Sequence, residues 1–458
     1  MPEQDKEQIL KNVKEISDKE RTMKLSIKEG CVSSVMSGFG DSNISLFALS
    51  LNANNLQMGF LSSFPGLISP ISQIFGSRLM ERFRRKKIVV AGVALHALMW
   101  FPMLVLGLLF YKNIFASHLA TLLLVFYSIY AVFGAVAGPA WFSLLGDIVP
   151  ENIRGKYFSR RNRICGTIAL LAALTAAFFL DFFETKGLLL IGFSILFFMA
   201  GIFRLISAFL FAKHYDPKFK LEKGYYFSIW QFIKKAPHNN YGRFVIYVAL
   251  MHFATAIAGP FFAVYMRRDL GLSVLAYTLI NLTASVSSLL FMPLWGKFSD
   301  KYGNLELLRI GSMMIPFLPA LWLFSKSPYY ISLVPQLIGG LSWAAFNLGA
   351  GNFIYDSVSP QRRGICVAYF NVLVGFGTFV GATIGGFLAY YLSISFMNVL
   401  LFIFLVSSVL RLAVALTIFP LIKEVRKVKK LETFKILHFK ELLPSKGVIY
   451  WILHPLSK

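Results

Sequence analysis

Asp41 is an ionisable residue in the middle of an apolar stretch, about residues 29–51, that is long enough to cross a membrane. Ser34, Ser37, Ser45 and Asn52 lie on the same helical face as Asp41. A polar face is costly against lipid, so we expect it to line water inside a helical bundle. A carboxylate there can couple proton movement to a solute. The alternatives are a hydrogen bond to a neighbouring helix and direct binding of a cationic solute.

Aromatic, amide and hydroxyl side chains recur within other apolar stretches. Rings stack and amides hydrogen-bond, so such a set suits a cavity for a mid-sized organic solute, although each residue alone is more often packing than ligand. His96 and His252 are isolated, and we expect core histidines with satisfied hydrogen bonds. The candidate cavity residues are Ser37, Ser45, Tyr127, Tyr130, Trp141, Asn281, Gln336, Trp343, Asn347, Tyr369 and Asn371.

The composition predicts a polytopic helical membrane protein. The chain has 458 residues, of which 56% are hydrophobic and 15% charged. Its mean hydropathy is +0.63. The apolar runs are continuous and do not alternate, which argues against a β-barrel. No metal cluster, nucleotide-binding loop or nucleophile constellation stands out, so we expect no metal, no cofactor, no enzymatic reaction and no ATP-driven pumping. Twelve spans are predicted, at about 29–51, 56–77, 88–111, 118–146, 163–183, 188–212, 243–266, 272–295, 306–325, 328–356, 365–392 and 395–421.

The net charge of +24 would suggest nucleic-acid binding if its distribution were ignored. However, 39 of the 46 lysines and arginines lie in the two tails and in alternate connections, against five on the opposite side. This bias predicts a multi-pass protein of the cell membrane with both termini in the cytoplasm. Three cysteines at predicted cytoplasmic helix ends favour reduced thiols. The basic tail 422–458 is either amphipathic and attracted to anionic lipid or simply solvated.

The connection between spans 8 and 9 carries the most specific motif. Residues 296–304 read Gly-Lys-Phe-Ser-Asp-Lys-Tyr-Gly-Asn, a predicted double-glycine turn that resembles the loop signature of the major facilitator superfamily of secondary transporters. A weaker copy at 77–87 has Ser77 and Arg84 where that family has glycine, and Glu81 for aspartate. The two copies are 219 residues apart, which is nearly half the chain.

Other pairs repeat in the same order. Asp147 and Arg154 correspond to Asp356 and Arg363 at an offset of 209, and Arg204 corresponds to Arg411 at 207. The resemblance therefore implies two six-helix bundles, 29–212 and 243–421, flanked by a tail 1–28, a central loop 213–242 and the tail 422–458.

The same resemblance implies a cytoplasmic gate. The motif acid Asp300 would dock on a helix start of the opposite half near 160–163, and Glu81 would dock near Gly364. The alternative is an ordinary basic loop with turn glycines. Asp147 and Asp356 are expected to form charge clusters with nearby arginines, including Arg204 and Arg411. The gate candidates are Gly296, Asp300, Lys301, Gly303, Glu81, Arg82, Arg85, Asp147, Arg154, Asp356, Arg363, Arg204 and Arg411.

These features predict a monomeric secondary active transporter of a small organic solute that works by alternating access and is coupled to protons. A multidrug or metabolite efflux antiporter of the same superfamily is the first alternative, and a transporter-like receptor or scaffold is the second. Predicted span 4 has no arginine, unlike typical drug exporters, and His-Tyr-Asp-Pro at 214–217 stands where sugar importers carry their motif after span 6. Neither branch is therefore favoured.

Overall fold

The computed structural model describes residues 3–150, 153–217, 228–426 and 428, without the side chains of 3–12, 154–156, 159, 360, 361, 363 and 364. Within these ranges the ordered structure is entirely helical, with short 3₁₀ and π segments. The helices are α1 Glu3–Phe39, α2 Ile44–Ser50, α3 Asn55–Leu79, α4 Arg85–Leu98, α5 Trp100–Tyr111, α6 Ala116–Ile148, α7 Arg154–Thr185, α8 Leu189–Ala212, α9 Ile229–Lys235, α10 Asn240–Ala258, α11 Phe261–Val264, α12 Val274–Tyr302, α13 Asn304–Met314, α14 Phe317–Ala320, α15 Pro328–Ile331, α16 Leu337–Ser357, α17 Pro360–Tyr391 and α18 Val399–Thr417.

Ten helical segments in the described chain are long and apolar enough to cross a membrane. They correspond to predicted spans 3 to 12, from Arg85–Tyr111 to Val399–Leu421. Helices α1 to α3, which cover predicted spans 1 and 2, are not among the ten. The prediction of a multi-pass helical protein is therefore confirmed, and the full count of twelve spans stays a prediction.

The helices form two compact units, the first with α1–α8 and the second with almost all of α9–α18. In the first unit α1 packs against α7 and α8, and α4 packs against α6. In the second unit α10 packs against α17 and α18, and α13 packs against α16. The same pairings thus recur in both units, as expected for an internal repeat.

Small residues allow the closest of these helix contacts. Gly377, Gly381 and Gly385 recur every fourth residue along α17, where a Cβ atom would lie 2.4, 2.1 and 2.2 Å from backbone oxygens of α10. Such distances are too short for any side chain, so α10 and α17 meet backbone to backbone. Aromatic rings fill the wider gaps, as where Phe47 packs edge-on against Phe197 at 4.8 Å between ring centroids.

Candidate functional site

The helix that carries Asp41 is broken immediately before it. Helix α1 ends at Phe39, a 3₁₀ segment spans Asp41–Asn43, and α2 resumes the path. A side chain at Gly40 would meet the Trp100 ring, since a Cβ atom there would lie 2.3 Å away. The Asn43 amide donates to the oxygens of Gly38 and Phe39 at 3.2 and 3.0 Å. The break is therefore stabilised locally, and it places Asp41 at an irregular bend rather than on the straight helical stripe predicted from its spacing.

Asp41 lies in a cavity of about 490 Å³ within the first unit. The Tyr130 hydroxyl donates a hydrogen bond to the Asp41 carboxylate. Irregular backbone within a helical bundle is tolerated where it lines such a cavity. The cavity is lined by Ser33, Met36, Ser37, Asp41, Pro65, Ser69, Gln73, His96, Tyr127, Tyr130, Ala131, Gly134, Ala135 and Arg204.

A stack of rings forms one side of this cavity. Tyr127 stacks on Tyr130 at 5.5 Å between ring centroids, and Tyr130 stacks on His96 at 3.7 Å. Trp100 packs edge-on against Tyr130 at 5.0 Å. Gly134 leaves room for His96, because a Cβ atom there would lie 2.7 Å from that ring. Rigid packing on several sides fixes the direction in which the Tyr130 hydroxyl points.

Arg204 continues the polar network away from Asp41. Its Nε donates to Nδ1 of His96 at 3.2 Å, and its Nη1 donates to the Ser33 hydroxyl at 2.7 Å. Because Nδ1 of His96 accepts, the proton of the neutral ring lies on Nε2. His96 is thus hydrogen-bonded, as expected of an isolated core histidine, but it also lines the cavity.

Glu29 is a buried carboxylate that the sequence analysis missed. It is 5% exposed. Its Oε1 accepts from Ser207 at 2.7 Å, its Oε2 lies 3.5 Å from Nη2 of Arg161, and Ser207 is itself 3.4 Å from Arg204. The signal was present in the sequence, since Glu29 and Ser33 continue the four-residue steps of Ser37 and Asp41 towards the N-terminus.

The expected grouping of Arg204 with Asp147 is wrong. Arg204 lies two turns before the end of α8, where it faces α1 and α4 and reaches Ser33 and His96. Among the described side chains Asp147 instead pairs with Arg85, at 2.6 Å, and Arg85 also donates to Ser143 at 2.9 Å.

The remaining cavity candidates divide between the units. In the first unit Trp141 lies under the Arg161 guanidinium at 4.9 Å, and Ser45 is half-buried on α2 outside the cavity. In the second unit Gln336 donates to Asn281 at 3.4 Å. Of the predicted cavity residues, Ser37, Tyr127 and Tyr130 line the same cavity as Asp41. The other positions are Trp343, 6.0 Å from the His252 ring; Tyr369, 5.7 Å from Phe232; Asn347, which is exposed; and Asn371, which is half-buried.

The motif at 296–304 is more helical than predicted. Helix α12 runs through to Tyr302, so Gly296 is helical and only Gly303, at φ +96°, makes the turn. The reason is packing, since Trp295 and Phe298 pack into one cluster of buried apolar residues and favour continued helix. Asp300 and Lys301 are exposed at this end, and Nζ of Lys301 lies 5.1 Å from the Tyr302 ring centroid.

Two equivalent contacts support the repeat at the gate residues. Asn304 donates to Asp356 at 2.5 Å in the second unit, as Arg85 donates to Asp147 in the first. Asn304 and Arg85 differ by 219 residues and the two aspartates by 209, which are the offsets read from the sequence. Both donors are 2% exposed. A charged pair in one copy is thus matched by an amide–carboxylate pair in the other.

Five further gate candidates remain. Glu81 and Arg82 are exposed in the turn after α3. The side chains of Arg154 and Arg363 lie outside the described part of the structure. Arg411 is 2% exposed and donates to Ser407 at 3.0 Å and to the oxygens of Ile315 and Thr255 at 3.3 and 3.4 Å. The expected cluster of Arg411 with Asp356 is wrong, because backbone oxygens and Ser407 satisfy the guanidinium instead.

Comparison with known proteins bears on both units. Residues 30–246 and 244–456 each match the Major Facilitator Superfamily. An uncharacterised MFS-type transporter of Methanocaldococcus jannaschii is 23% identical over 370 residues, covering 78% of this chain and 88% of that protein. Vacuolar basic amino acid transporter 2 of Saccharomyces cerevisiae is 32% identical over 111 residues, or 23% of this chain, and the match spans only 22% of that relative.

A solved structure shows the same fold at low sequence identity. The D-xylose-proton symporter superposes with a TM-score of 0.61 at 18% identity, covering 90% of this chain and 98% of the symporter. The matches to the superfamily cover both halves of the sequence, including the repeated motifs and the Asp41 segment. This chain therefore belongs to the Major Facilitator Superfamily.

Proposed function

We propose that this protein is a secondary active transporter that moves a small polar organic solute by alternating access and couples that movement to protons through Asp41. The observation that carries the proposal is the bond from Tyr130 to Asp41 inside a cavity that also contains Arg204 and His96. A carboxylate at membrane depth is costly unless it has a function or a partner. The Asp41 carboxylate accepts a hydrogen bond from the neutral Tyr130 hydroxyl and lines the cavity.

The charge of Asp41 decides how the cavity receives a solute. When ionised, Asp41 accepts from Tyr130 and attracts cationic or hydrogen-bond-donating groups. When protonated, it no longer balances the charge of Arg204, so the cavity becomes more favourable for anionic or hydrogen-bond-accepting groups. A proton and a solute can shift a conformational equilibrium only through different affinities for its states, and this change of charge supplies such a difference.

The lining indicates the class of solute. Hydroxyls of Ser33, Ser37 and Ser69 and the amide of Gln73 offer hydrogen bonds, and the Tyr127 ring offers a stacking face. This mixture suits a compact organic molecule with several polar groups. Proton coupling occurs on this fold, as the name of the D-xylose-proton symporter states for that protein.

A ligand screen on the purified full-length protein tests the proposal. Thermal shifts with a library of polar metabolites are recorded at pH 6 and pH 8 for wild type, Asp41→Asn and the control Asp181→Asn, which changes a carboxylate on α7 outside the cavity. A bound ligand stabilises by about 2.7 kcal/mol at a hundred times its dissociation constant. We expect a ligand whose affinity depends on pH in wild type and Asp181→Asn but not in Asp41→Asn.

Transport in proteoliposomes completes the test. The identified solute should drive proton movement across the membrane in wild type and not in Asp41→Asn, which should still exchange the solute. Unchanged proton movement in Asp41→Asn would refute the role of Asp41. Binding without any transport would favour the receptor alternative.

A further inference from the structure

A second cavity, of about 320 Å³, lies at one end of the first unit, apart from Asp41. It is formed where the first turns of α4 meet the residues after α8 and the region of α1 around Thr22. We call it the basic cleft. Five cationic side chains line it, against the two carboxylates of Asp18 and Asp216, leaving three positive charges in excess. The cations are Arg21, Arg84, Lys86, Lys87 and Lys213.

Specific hydrogen bonds hold the walls of the basic cleft together. The Thr22 hydroxyl accepts from the backbone N–H of Tyr215 at 3.0 Å, which joins α1 to the segment after α8. Nζ of Lys86 donates to the His214 oxygen at 3.1 Å, and Arg85 donates to the Pro217 oxygen at 3.3 Å. The cleft is thus a formed part of the fold, and its charges are held close to one another.

His214 provides an observation that is independent of the lysines and arginines. It lines the cleft but is only 1% exposed, and its Nδ1 lies 3.1 and 3.2 Å from the oxygens of Phe211 and Leu210. These contacts place the ring proton on Nδ1. Within the described chain Nε2 is buried and has no hydrogen-bond partner. Burial lowers the pKa of His214, so the ring is neutral and Nε2 can accept a hydrogen bond. An unmatched buried acceptor is costly, and a ligand hydroxyl would satisfy it.

The start of α4 adds a favourable dipole. Helix α4 begins at Arg85, and the preceding residue Arg84 provides no side-chain cap among the described residues. The positive end of a helix dipole favours an anion. Arg84, Lys86 and Lys87 all line the cleft at this helix end.

We propose that the basic cleft binds a phosphate monoester group. Such a group carries close to two negative charges at neutral pH, presents several acceptor oxygens for Arg and Lys, and keeps a hydroxyl in its monoanionic form that can donate to Nε2 of His214. The cleft is large enough for the phosphate and part of what it is attached to. The group belongs either to a soluble phosphorylated molecule or to the headgroup of a phospholipid in the facing leaflet.

Binding to full-length protein, in detergent and in nanodiscs, tests the proposal. The soluble probe is inorganic phosphate, measured by calorimetry. The lipid probes are phosphatidylcholine nanodiscs containing either phosphatidic acid, a monoester, or phosphatidylglycerol, a diester. The cleft variant combines Arg84→Gln, Lys87→Gln and Lys213→Gln, which are all exposed positions. The matched control combines Lys24→Gln, Lys28→Gln and Arg78→Gln, which are exposed basic residues outside the cleft.

A phosphate site should lose about a hundredfold in affinity in the cleft variant, since each of the three basic residues contributes about fivefold near an anionic group. The control should bind as wild type does. His214→Phe should weaken binding without changing the net charge of the cleft, because the His214 ring is neutral. Binding of inorganic phosphate would identify a soluble ligand, whereas retention of phosphatidic acid over phosphatidylglycerol alone would identify a lipid headgroup. Equal binding by the cleft variant and the control, or no binding of any probe, would overturn the proposal.

Discussion

Glu29→Gln removes one charge of the buried pair with Arg161 while keeping the side-chain volume. The two charged groups are 3.5 Å apart, and their side chains are 6% and 11% exposed. At an effective dielectric constant of about 20, this separation corresponds to roughly 5 kcal/mol of attraction, part of which offsets desolvation. Arg161 keeps its contacts with the Ser26 oxygen and the Trp141 ring. We therefore expect the free energy of unfolding to fall by about 2 to 4 kcal/mol, somewhat less than for a buried ion that loses every partner.

The exposed pair Glu15–Lys19 is the matched control. Its atoms are closer, at 2.9 Å, but the side chains are 42% and 31% exposed. Water and salt screen such a pair, so Glu15→Gln should cost no more than about 0.5 kcal/mol. If distance alone set the strength of an ion pair, Glu15→Gln would cost more stability than Glu29→Gln. The comparison therefore tests the effect of burial.

Thermal unfolding in one detergent, at one protein concentration and one scan rate, measures both variants. At about 2 to 4 °C per kcal/mol for a unit of this size, Glu29→Gln should lower the midpoint by roughly 10 °C and Glu15→Gln by no more than about 2 °C. Combining Glu29→Gln with Arg161→Gln should cost less than the sum of the single changes. Equal midpoints for Glu29→Gln and Glu15→Gln would refute the reasoning.

Three further predictions concern other positions. Tyr130→Phe removes the donor to Asp41 and should alter the pH dependence of transport while the protein stays folded, checked by transport assays across pH 5 to 8; an unchanged profile would argue against the bond. Asp300→Ala should lower turnover with little loss of expression, and wild-type turnover would contradict the gate. Gly340→Ala places a Cβ atom 2.1 Å from the Ala284 oxygen and should lower the unfolding midpoint. The control Gly351→Ala, on the same helix, meets nothing within 4 Å. It should leave the free energy of unfolding unchanged or raise it by up to about 1 kcal/mol.

The sequence predicted most where a property depends on local composition. Of the twelve spans predicted from apolar runs, ten coincide with long apolar helices. The offset between Asp147 and Asp356 indicated an internal repeat, but their contacts with Arg85 and Asn304 were not predicted. The break at Gly40 depends on the Trp100 ring, some sixty positions away, and no local pattern reports it. The environment of Arg204 likewise depends on which neighbours face it from α1 and α4. Glu29 could have been found from the sequence, because it continues the four-residue spacing of the Asp41 face, but as the first residue of predicted span 1 it was not considered.

Asp41 is synthesised well before the residue that donates a hydrogen bond to it, and this order bears on how its segment enters the bilayer. The caps of the broken helix, Asn43 and Ser42, are made together with it, but Tyr130 follows 89 residues later. At roughly 5 to 20 residues per second, the carboxylate waits about 4 to 18 s for its donor. A carboxylate alone at the centre of a span costs about 2.5 to 3.5 kcal/mol during insertion. We therefore expect the Asp41 segment to stay beside the translocon, in contact with water, until α6 emerges, and the first helix of the unit to enter the bilayer late.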